Sequence, residues 1–500
     1  MALRLFDTRL RQKIQFQPIR EGYVGMYVCG VTVYDMSHIG HARMMVAFDV
    51  VYRFLKSAGY NVKYVRNFTD VDDKIIKRAN ERGVSCETLT NQYIDEFYKD
   101  FDALGCLRPD VEPRVSTHMA EIVDLIGKIV AGGHGYEAGG DVYFDISSYG
   151  EYGKLSGRSI DDMQAGASER VSADELGKKR HPLDFVLWKA SKPGEPTWDS
   201  PWGPGRPGWH IECSAMAAAH LGVTFDLHGG GKDLVFPHHE NEIAQSECGF
   251  GAEFAKHWIH NGFVNVDDEK MSKSLGNMFT VRDVLENYHP QVIRCFLLST
   301  HYRSPINYSD RNLDDALLRV MYVYETLLKI DEILETESEN SIEGAEVHEP
   351  ELVFGTWPKV VDAMSDDFNT AAAIGALSDL IRYANDLAAK SRKKAPLMIP
   401  TLRAVRETLT KASSVFGVFD LPPARALDEI QALLVRQLAL DVSSIEEAID
   451  RRTRAREERN WAEADRIRNE LLTRNVCIMD TPKGTTWKVV PRGGAENCAV

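Results

Sequence analysis

The sequence lacks a C-x-x-C pair, an apolar run approaching the ~20 residues of a membrane span, and any excess of basic residues. Its eight cysteines are dispersed along 500 residues, so a disulfide framework is not expected. They read as reduced thiols, some of them available to a metal. Residues 1–20 lack the apolar stretch of a secretory signal, which points to a cytoplasmic protein without membrane attachment. The net charge is −15, so a nucleic-acid partner would have to meet a local basic face. No internal repeat is evident. The length suggests about three domains of ~100–200 residues.

The chain is organised around Val24–Ala58. Val24–Cys29 reads as a buried strand, Gly30–Ser37 as a loop, and Ala42–Ala58 as a strongly patterned helix, with His38–Ile39–Gly40–His41 at its start. A helix N-terminus after such a loop offers free backbone N–H groups and a positive dipole end, which suits phosphate. Gly40 leaves room for a flat ring against the backbone. A helix start that happens to carry two histidines gives the same pattern.

Asn61–Phe68 completes a βαβ unit, whose ligand side is the C-terminal end of its strands. Thr69–Asp70 ends the second strand, Val71–Arg82 reads as another helix, and Asp70, Asp72 and Asp73 read as capping that helix or as a metal cluster. From 101 to 207 the pattern changes to one helix, glycine-rich turns and short strands, as in a subdomain inserted between the α/β halves 1–100 and 208–300. In the second half, Trp209–Leu221 reads as helix, Val223–Leu227 as strand, Pro237–Cys248 as helix and His257–His260 as strand. Residues 301–350 read as a linker with an amphipathic helix and an acidic loop. Residues 351–480 read as helices broken at Pro396, Pro400, Pro422 and Pro423, the last running from Ile445 to Arg474. Residues 481–500 form a small end and tail.

Three constellations carry chemistry. Cys29, Cys213, His238 and Glu242 supply two thiolates, one imidazole and one carboxylate, a tetrahedral zinc set, with His238 and Glu242 on one helix face. Buried free cysteines are the alternative. His228–Gly229–Gly230–Gly231–Lys232–Asp233 follows a strand; its glycines admit a ligand to the backbone and Asp233 suits ribose hydroxyls, unless this is a plain tight turn. Lys270–Met271–Ser272–Lys273–Ser274 is a doubly cationic loop that could clamp a leaving pyrophosphate or be solvated surface.

HIGH at 38–41 and KMSKS at 270–274 together resemble the class I aminoacyl-tRNA synthetases. Cys29, the segments 208–213, 228–231, 236–242 and 67–74, and Ala464–Arg468 narrow the resemblance to the cysteinyl-tRNA synthetases over nearly the whole chain. The implied fold is a Rossmann-like parallel-sheet α/β catalytic domain with an inserted α+β subdomain, followed by an all-α tRNA-binding C-terminal region. The implied reaction joins L-cysteine to ATP as cysteinyl-adenylate and then to the 3′ end of tRNA(Cys). Cys29, Cys213, His238 and Glu242 would hold one Zn²⁺, which selects the thiol over serine, and Mg²⁺ would accompany ATP. Cys29, Gly30, Thr69 and Trp209 would line the amino-acid pocket. His38, Gly40, His41, His228, Gly229, Gly230, Asp233 and Lys273 would meet ATP, with His38, His41, Lys270 and Lys273 acting on the phosphates. Val31 stands where the family often has proline.

The eight arginines between Arg451 and Arg474, with Trp461 and Trp487, would meet tRNA, or form a solvated face laced with acids. A monomer is expected. Two rival readings are a ligase joining cysteine to an amino sugar, which should lack a tRNA-reading C-terminus, and a non-catalytic zinc-stabilised tRNA-binding protein.

Overall fold

The computed structural model describes residues 2–159, 177–266, 269–270, 278–336, 346–389, 395–481 and 484–491. An N-terminal hairpin, β1 (Arg4–Asp7) and β2 (Gln12–Gln15), precedes β3 (Tyr23–Val28), α1 (Ile39–Ser57) and β4 (Asn61–Arg66). Helices α2 (Asp73–Arg82), α3 (Cys86–Ala103) and α4 (Met119–Ala131) follow. Next come β5 (Gly135–Ala138), β6 (Asp141–Phe144), β7 (Phe185–Ala190) and β8 (Gly205–Pro207). Then α5 (Trp209–Leu221), β9 (Phe225–Gly231), α6 (Glu240–Phe250) and β10 (Ala255–Asn261) return the chain to the first sheet.

That sheet is wholly parallel, in the order β10-β9-β3-β4. The chain leaves β3 on one side for β4 and comes back on the other with β9. Strand order therefore reverses at β3 and β9, and the crevice at their C-terminal ends is where such sheets take ligands. Cys29 sits directly at that edge.

The glycine segment departs from the expected loop. His228–Gly231 is the second half of strand β9, in register with Trp258–Asn261 of β10. Both faces of the sheet are covered here, so the glycines serve packing. A Cβ on Gly229 would lie 2.2 Å from the Phe48 ring of α1, and one on Gly230 would lie 2.8 Å from His239.

The insertion forms an antiparallel sheet, β5-β6-β7-β8. It does not stand apart from the α/β domain, because Ile122, Leu125, Ile126 and Ile129 of α4 share a core with Met216 of α5 and Ile243 and Ala244 of α6. Of the three aspartates Asp72 is the helix cap, accepting the Lys74 N–H at 2.8 Å, while Asp70 binds Ser116 and Asp73 pairs with Arg206 and Lys189.

Beyond β10, the small strands β11 (Val264–Val266) and β12 (Glu269–Lys270), helices α7 (Val281–Asn287) and α8 (Pro290–Leu298), and β13 (Ile306–Tyr308) lead into a helical bundle. Its helices are α9 (Asp310–Thr336), α10 (Pro350–Ser365), α11 (Thr370–Ala389), α12 (Ala395–Phe416) and α13 (Pro423–Gln437). One apolar core runs continuously from α1 through α8 into this bundle.

Three expectations fail in this region. Pro400 lies inside α12 rather than breaking it, whereas Pro396 stands at its first turn; the hydrogen bond forfeited at Pro400 is outweighed by burial of Met398, Ile399 and Leu402. The single helix 445–474 is two, α14 (Val442–Glu457) and α15 (Trp461–Thr473). Arg459 turns left-handed between them, and Asn460 caps the second by accepting from Glu463 N. The C-terminal region also ends in a hairpin, β14 (Val476–Thr481) with β15 (Gly484–Val489), so it is mostly helical rather than all-α. Among the described residues no helix is long and apolar enough to cross a membrane.

Candidate active site and metal centre

The start of α1 is closed by its own histidines. His38 has extended backbone and caps the helix: its Nδ1 accepts the N–H groups of Gly40 and His41 at 3.1 and 3.3 Å, and His41 Nδ1 accepts the His38 N–H at 3.3 Å. The two rings stack with centroids 3.6 Å apart. Ile39 N–H is taken by the Phe279 carbonyl at 3.0 Å. The backbone N–H groups expected to be free for phosphate are therefore occupied. What remains is the helix dipole and the two rings, each with an Nδ1 that accepts and hence its proton on Nε2.

The Phe279 contact, with a bridge between His38 and Thr280, joins the segment that leads into α7 to the start of α1. Lys270 is in strand β12 opposite Asn265. Lys273 and the rest of 271–277 lie outside the described residues.

At the crevice edge, β3, α5 and α6 converge on a buried cluster. Cys29 Sγ lies 3.6 Å from Cys213 Sγ and 3.4 Å from Glu242 Oε1. His238 Nε2 lies 3.0 Å from the same carboxylate oxygen, one helical turn away. Of the donor set expected from sequence, Cys29, His238 and Glu242 share one compact group, and Cys213 adjoins it through Cys29. Around a tetrahedral ion with ~2.3 Å sulfur bonds, two sulfurs sit roughly 3.8 Å apart, close to the spacing here. Sequence reasoning missed His239. The ligand atoms of Cys29, His238, His239 and Glu242 all lie within 4.8 Å of one another, and the buried His239 Nε2 has no hydrogen-bond partner. The i,i+3 relation of His239 to Glu242 was the available signal.

A second ring of groups orients the first. His210 Nδ1 is 2.9 Å from His238 Nδ1, and His260 Nε2 is 2.8 Å from His239 Nδ1, so each ring presents Nε2 towards Glu242. His228, expected at the nucleotide, has its ring fully buried with Nε2 2.8 Å from Glu242 Oε2. Burial pushes His210, His228 and His260 down to about 3 and holds His238 and His239 well below the ordinary imidazole value. Burial likewise raises the Cys29 and Cys213 thiols and the Glu242 carboxyl. Neutral imidazoles beside two thiols and a carboxylate form a donor set that a buried cation would complete.

The pocket beside the cluster is built from Gly30, Asn67, Thr69 and Trp209. Gly30 N donates to Asn67 Oδ1 at 2.9 Å, and a Cβ on Gly30 would fall 1.6 Å from the Asn67 carbonyl oxygen, so no side chain fits there. Thr69 Oγ1 donates to the buried Glu212 at 3.1 Å. The Trp209 ring stacks 4.3 Å from that of His238 and is partly exposed. Asp233 lies exposed just past β9, on the ligand edge of the sheet.

In the C-terminal region, Asp480 gathers arginines expected to meet RNA. Arg452 grips it with both guanidinium nitrogens at 2.8 and 2.9 Å, and Arg456 adds a contact at 2.6 Å. Arg466 pairs with Glu463 and Glu470. Trp487 packs on the small core of this unit, whereas Trp461 is 58% exposed.

The model of the class I (C) tRNA synthetase catalytic domain matches residues 15–318, a DALR domain matches 359–420, and the cysteinyl-tRNA ligase anticodon-binding domain matches 443–487. The cysteine–tRNA ligase of Pelobacter propionicus is 49% identical over 498 residues, covering 98% of this chain and 100% of that protein. That of Trichlorobacter lovleyi is 50% identical over 496 residues, with the same coverage. Among solved structures, Mycobacterium tuberculosis methionyl-tRNA synthetase in complex with methionyl-adenylate matches with a TM-score of 0.62 at 17% identity, covering 81% of this chain and 93% of that one. The LeuRS–tRNA–LeuAMS complex of Agrobacterium radiobacter matches at 0.59 and 13%, covering 84% and 86%. At those identities the solved structures speak to fold.

Proposed function

The chain belongs to the cysteine–tRNA ligases of the class I aminoacyl-tRNA synthetase family, and from that premise we propose how its own residues divide the work. The family reaction is ATP-dependent: the cysteine carboxylate attacks the α-phosphate, giving cysteinyl-adenylate and pyrophosphate, and the terminal ribose hydroxyl of tRNA then takes the cysteinyl group. No protein nucleophile is needed, so positioning and charge stabilisation carry catalysis. The amino-sugar ligase is not favoured, because full-length relatives and the matched anticodon-binding domain extend over the C-terminal region.

His38 and His41 donate their Nε2–H groups to phosphate oxygens at the positive end of α1. Lys270 and Lys273 close over the β- and γ-phosphates from the neighbouring segment, with Mg²⁺ on the ATP. Gly40 keeps the adenosine side of the crevice free of a side chain, Gly229 and Gly230 let Phe48 and His239 pack against β9, and Asp233 accepts from the ribose. Gly30 and Thr69 receive the amino acid, and Trp209 closes the pocket. His228 positions the Glu242 carboxylate rather than touching nucleotide.

Cys29, Cys213, His238 and Glu242 are the residues that would hold Zn²⁺, chosen over His239 because two sulfurs at tetrahedral spacing suit this ion and Cys213 supplies the second. A zinc ion bound there supplies selectivity, since it favours a thiolate over the hydroxyl of serine, a distinction that shape alone makes weakly. The enzyme acts as a cytoplasmic monomer on tRNA(Cys), with Trp461 and the exposed C-terminal arginines outside the Asp480 and Glu463–Glu470 pairs facing RNA.

The convergence of both thiols, His238 and Glu242 at the crevice edge carries this reading. Cysteine-dependent ATP–pyrophosphate exchange and cysteinylation of tRNA test the overall assignment. Replacing Cys213 with serine tests the metal assignment: zinc content and cysteine adenylation should fall together and the preference over serine should shrink. Full zinc loss with unchanged cysteine adenylation would overturn it.

A further inference from the structure

The sharp corner between α10 and α11 is strained and deeply anchored. Asp367 and Phe368 both have left-handed backbone, with φ of 70° and 50°, a conformation that non-glycine residues hold only when their surroundings over-determine it. The surroundings come from the catalytic half of the chain. Asp367 is fully buried. Its Oδ1 accepts from Phe6 N at 2.9 Å and Tyr302 OH at 2.8 Å, and its Oδ2 accepts from Arg303 Nε at 2.7 Å. Its own N–H donates to the Arg4 carbonyl at 2.8 Å. Asp366 pairs with Arg4 and Lys13 at 2.7 and 2.8 Å. Phe368 packs edge-on to Phe54 of α1 and to Tyr302, and Thr370 Oγ1 donates to the Leu298 carbonyl at 2.9 Å.

The segment that receives this corner also holds the active-site elements. Arg43, two residues beyond His41 and buried, donates to the carbonyls of Leu297 and His301 and to Thr300 Oγ1. Gly262 N donates to the Tyr302 carbonyl at 2.8 Å, and strand β11, which leads to Lys270, runs parallel to β13 just past Ser304. Residues 297–306 are therefore gripped on one side by the phosphate-side helix and the strand to 270, and on the other by the Asp366–Thr370 corner.

We propose that this corner is the tether that registers the tRNA-reading helical region against the active site, with Asp367 as its positioning residue. The inference rests on the tRNA-ligase reading. A tRNA held by the C-terminal helices must deliver its 3′ end to the adenylate, and a misplacement of about 1 Å at reacting atoms costs on the order of 100-fold in rate. Looseness at the joint is multiplied by the length of the bound RNA. Adenylation uses only groups of the catalytic half, which Arg43 and the core between α1 and α8 hold together apart from the corner.

Asp367→Asn keeps the shape and one acceptor oxygen but turns an amide towards Arg303. In the full-length enzyme, pyrophosphate exchange should stay within about 3-fold of wild type. Single-turnover transfer from enzyme-bound adenylate to tRNA should fall by roughly 10-fold or more, with little change in KM for tRNA. Arg303→Gln, a gentler change at a half-buried site, should reproduce the split and decides the matter if Asp367→Asn fails to fold. The double variant should be no worse than the worse single variant. Parallel loss of exchange and transfer, or unaltered transfer in a folded variant, overturns the tether. A wild-type enzyme that exchanges pyrophosphate but never charges tRNA would instead overturn the ligase reading.

Discussion

His38 carries two separable duties, and a pair of substitutions should divide them. As the N-cap of α1, its Nδ1 takes the Gly40 and His41 N–H groups at 3.1 and 3.3 Å. Its Nε2–H is the group assigned to phosphate. His38→Ala removes both. The lost cap costs about 1 kcal/mol, within the ~0.5–2 kcal/mol of such changes, or roughly 2–4 °C in the melting temperature of a domain of this size. His38→Asn keeps a cap, because its Oδ1 can accept the same N–H groups, but has no second donor where Nε2 stood. Its melt should match wild type to within ~1 °C. Removing one preorganised donor to developing charge typically costs ~100–1,000-fold in rate, about 2.7–4 kcal/mol. Both variants should therefore lose pyrophosphate exchange by that factor while only the alanine variant loses stability. Thermal denaturation alongside exchange assays reads the two effects separately. Wild-type exchange in His38→Asn would refute the donor role, and an unaltered melt in His38→Ala would refute the cap.

Two further outcomes follow from packing and charge. Gly229→Ala would drive a methyl to 2.2 Å from Phe48 and should destabilise by about 1–3 kcal/mol; Phe48→Leu in the same chain should recover part of that loss in a denaturant melt, and no recovery would mean that the strand itself rejects a side chain. Hydrogen bonds and charge from Arg452 hold the Asp480 carboxyl well below the ordinary carboxylate range. A depressed folded value contributes stability above the unfolded value near ~3.9 that is lost as pH falls from there through the folded value. Amide protection factors across 476–489, corrected for intrinsic exchange, should therefore fall on acidification below about pH 4, and Asp480→Asn should flatten that dependence; an identical acid profile in the variant would exclude Asp480 as its source.

The elements most legible in sequence were those whose signal is local. α5 runs from Trp209 to Leu221 as the periodicity predicts, and β3 and β4 match their apolar runs to within a residue or two. Glycines usually end strands, so the sequence pattern ends β9 at Leu227 whereas it runs to Gly231. Their reason for being there, the Phe48 ring of a helix ~180 residues upstream in the chain, is not a local property. The break at Arg459 was hidden because an arginine carries no left-handed signal. Pro400 misled in the other direction, since burial on the bundle outweighs one lost hydrogen bond.

The sequence by itself determined the chemistry available to this protein: two thiols, an imidazole and a carboxylate, a pair of histidines at a helix start, and a second cationic motif. Residue identity fixes which atoms can donate, accept or ligate, and these sets are too specific in combination to arise from packing alone. Tertiary structure decided which of those atoms are free to act. It filled the backbone N–H groups of α1 with the helix's own histidines, turned His228 to Glu242, added His239 to the metal cluster and gave Arg452 to Asp480. Hydrogen-bonding capacity is a property of the residue, but its use depends on what the fold brings within about 3 Å, and no spacing along the chain records that distance.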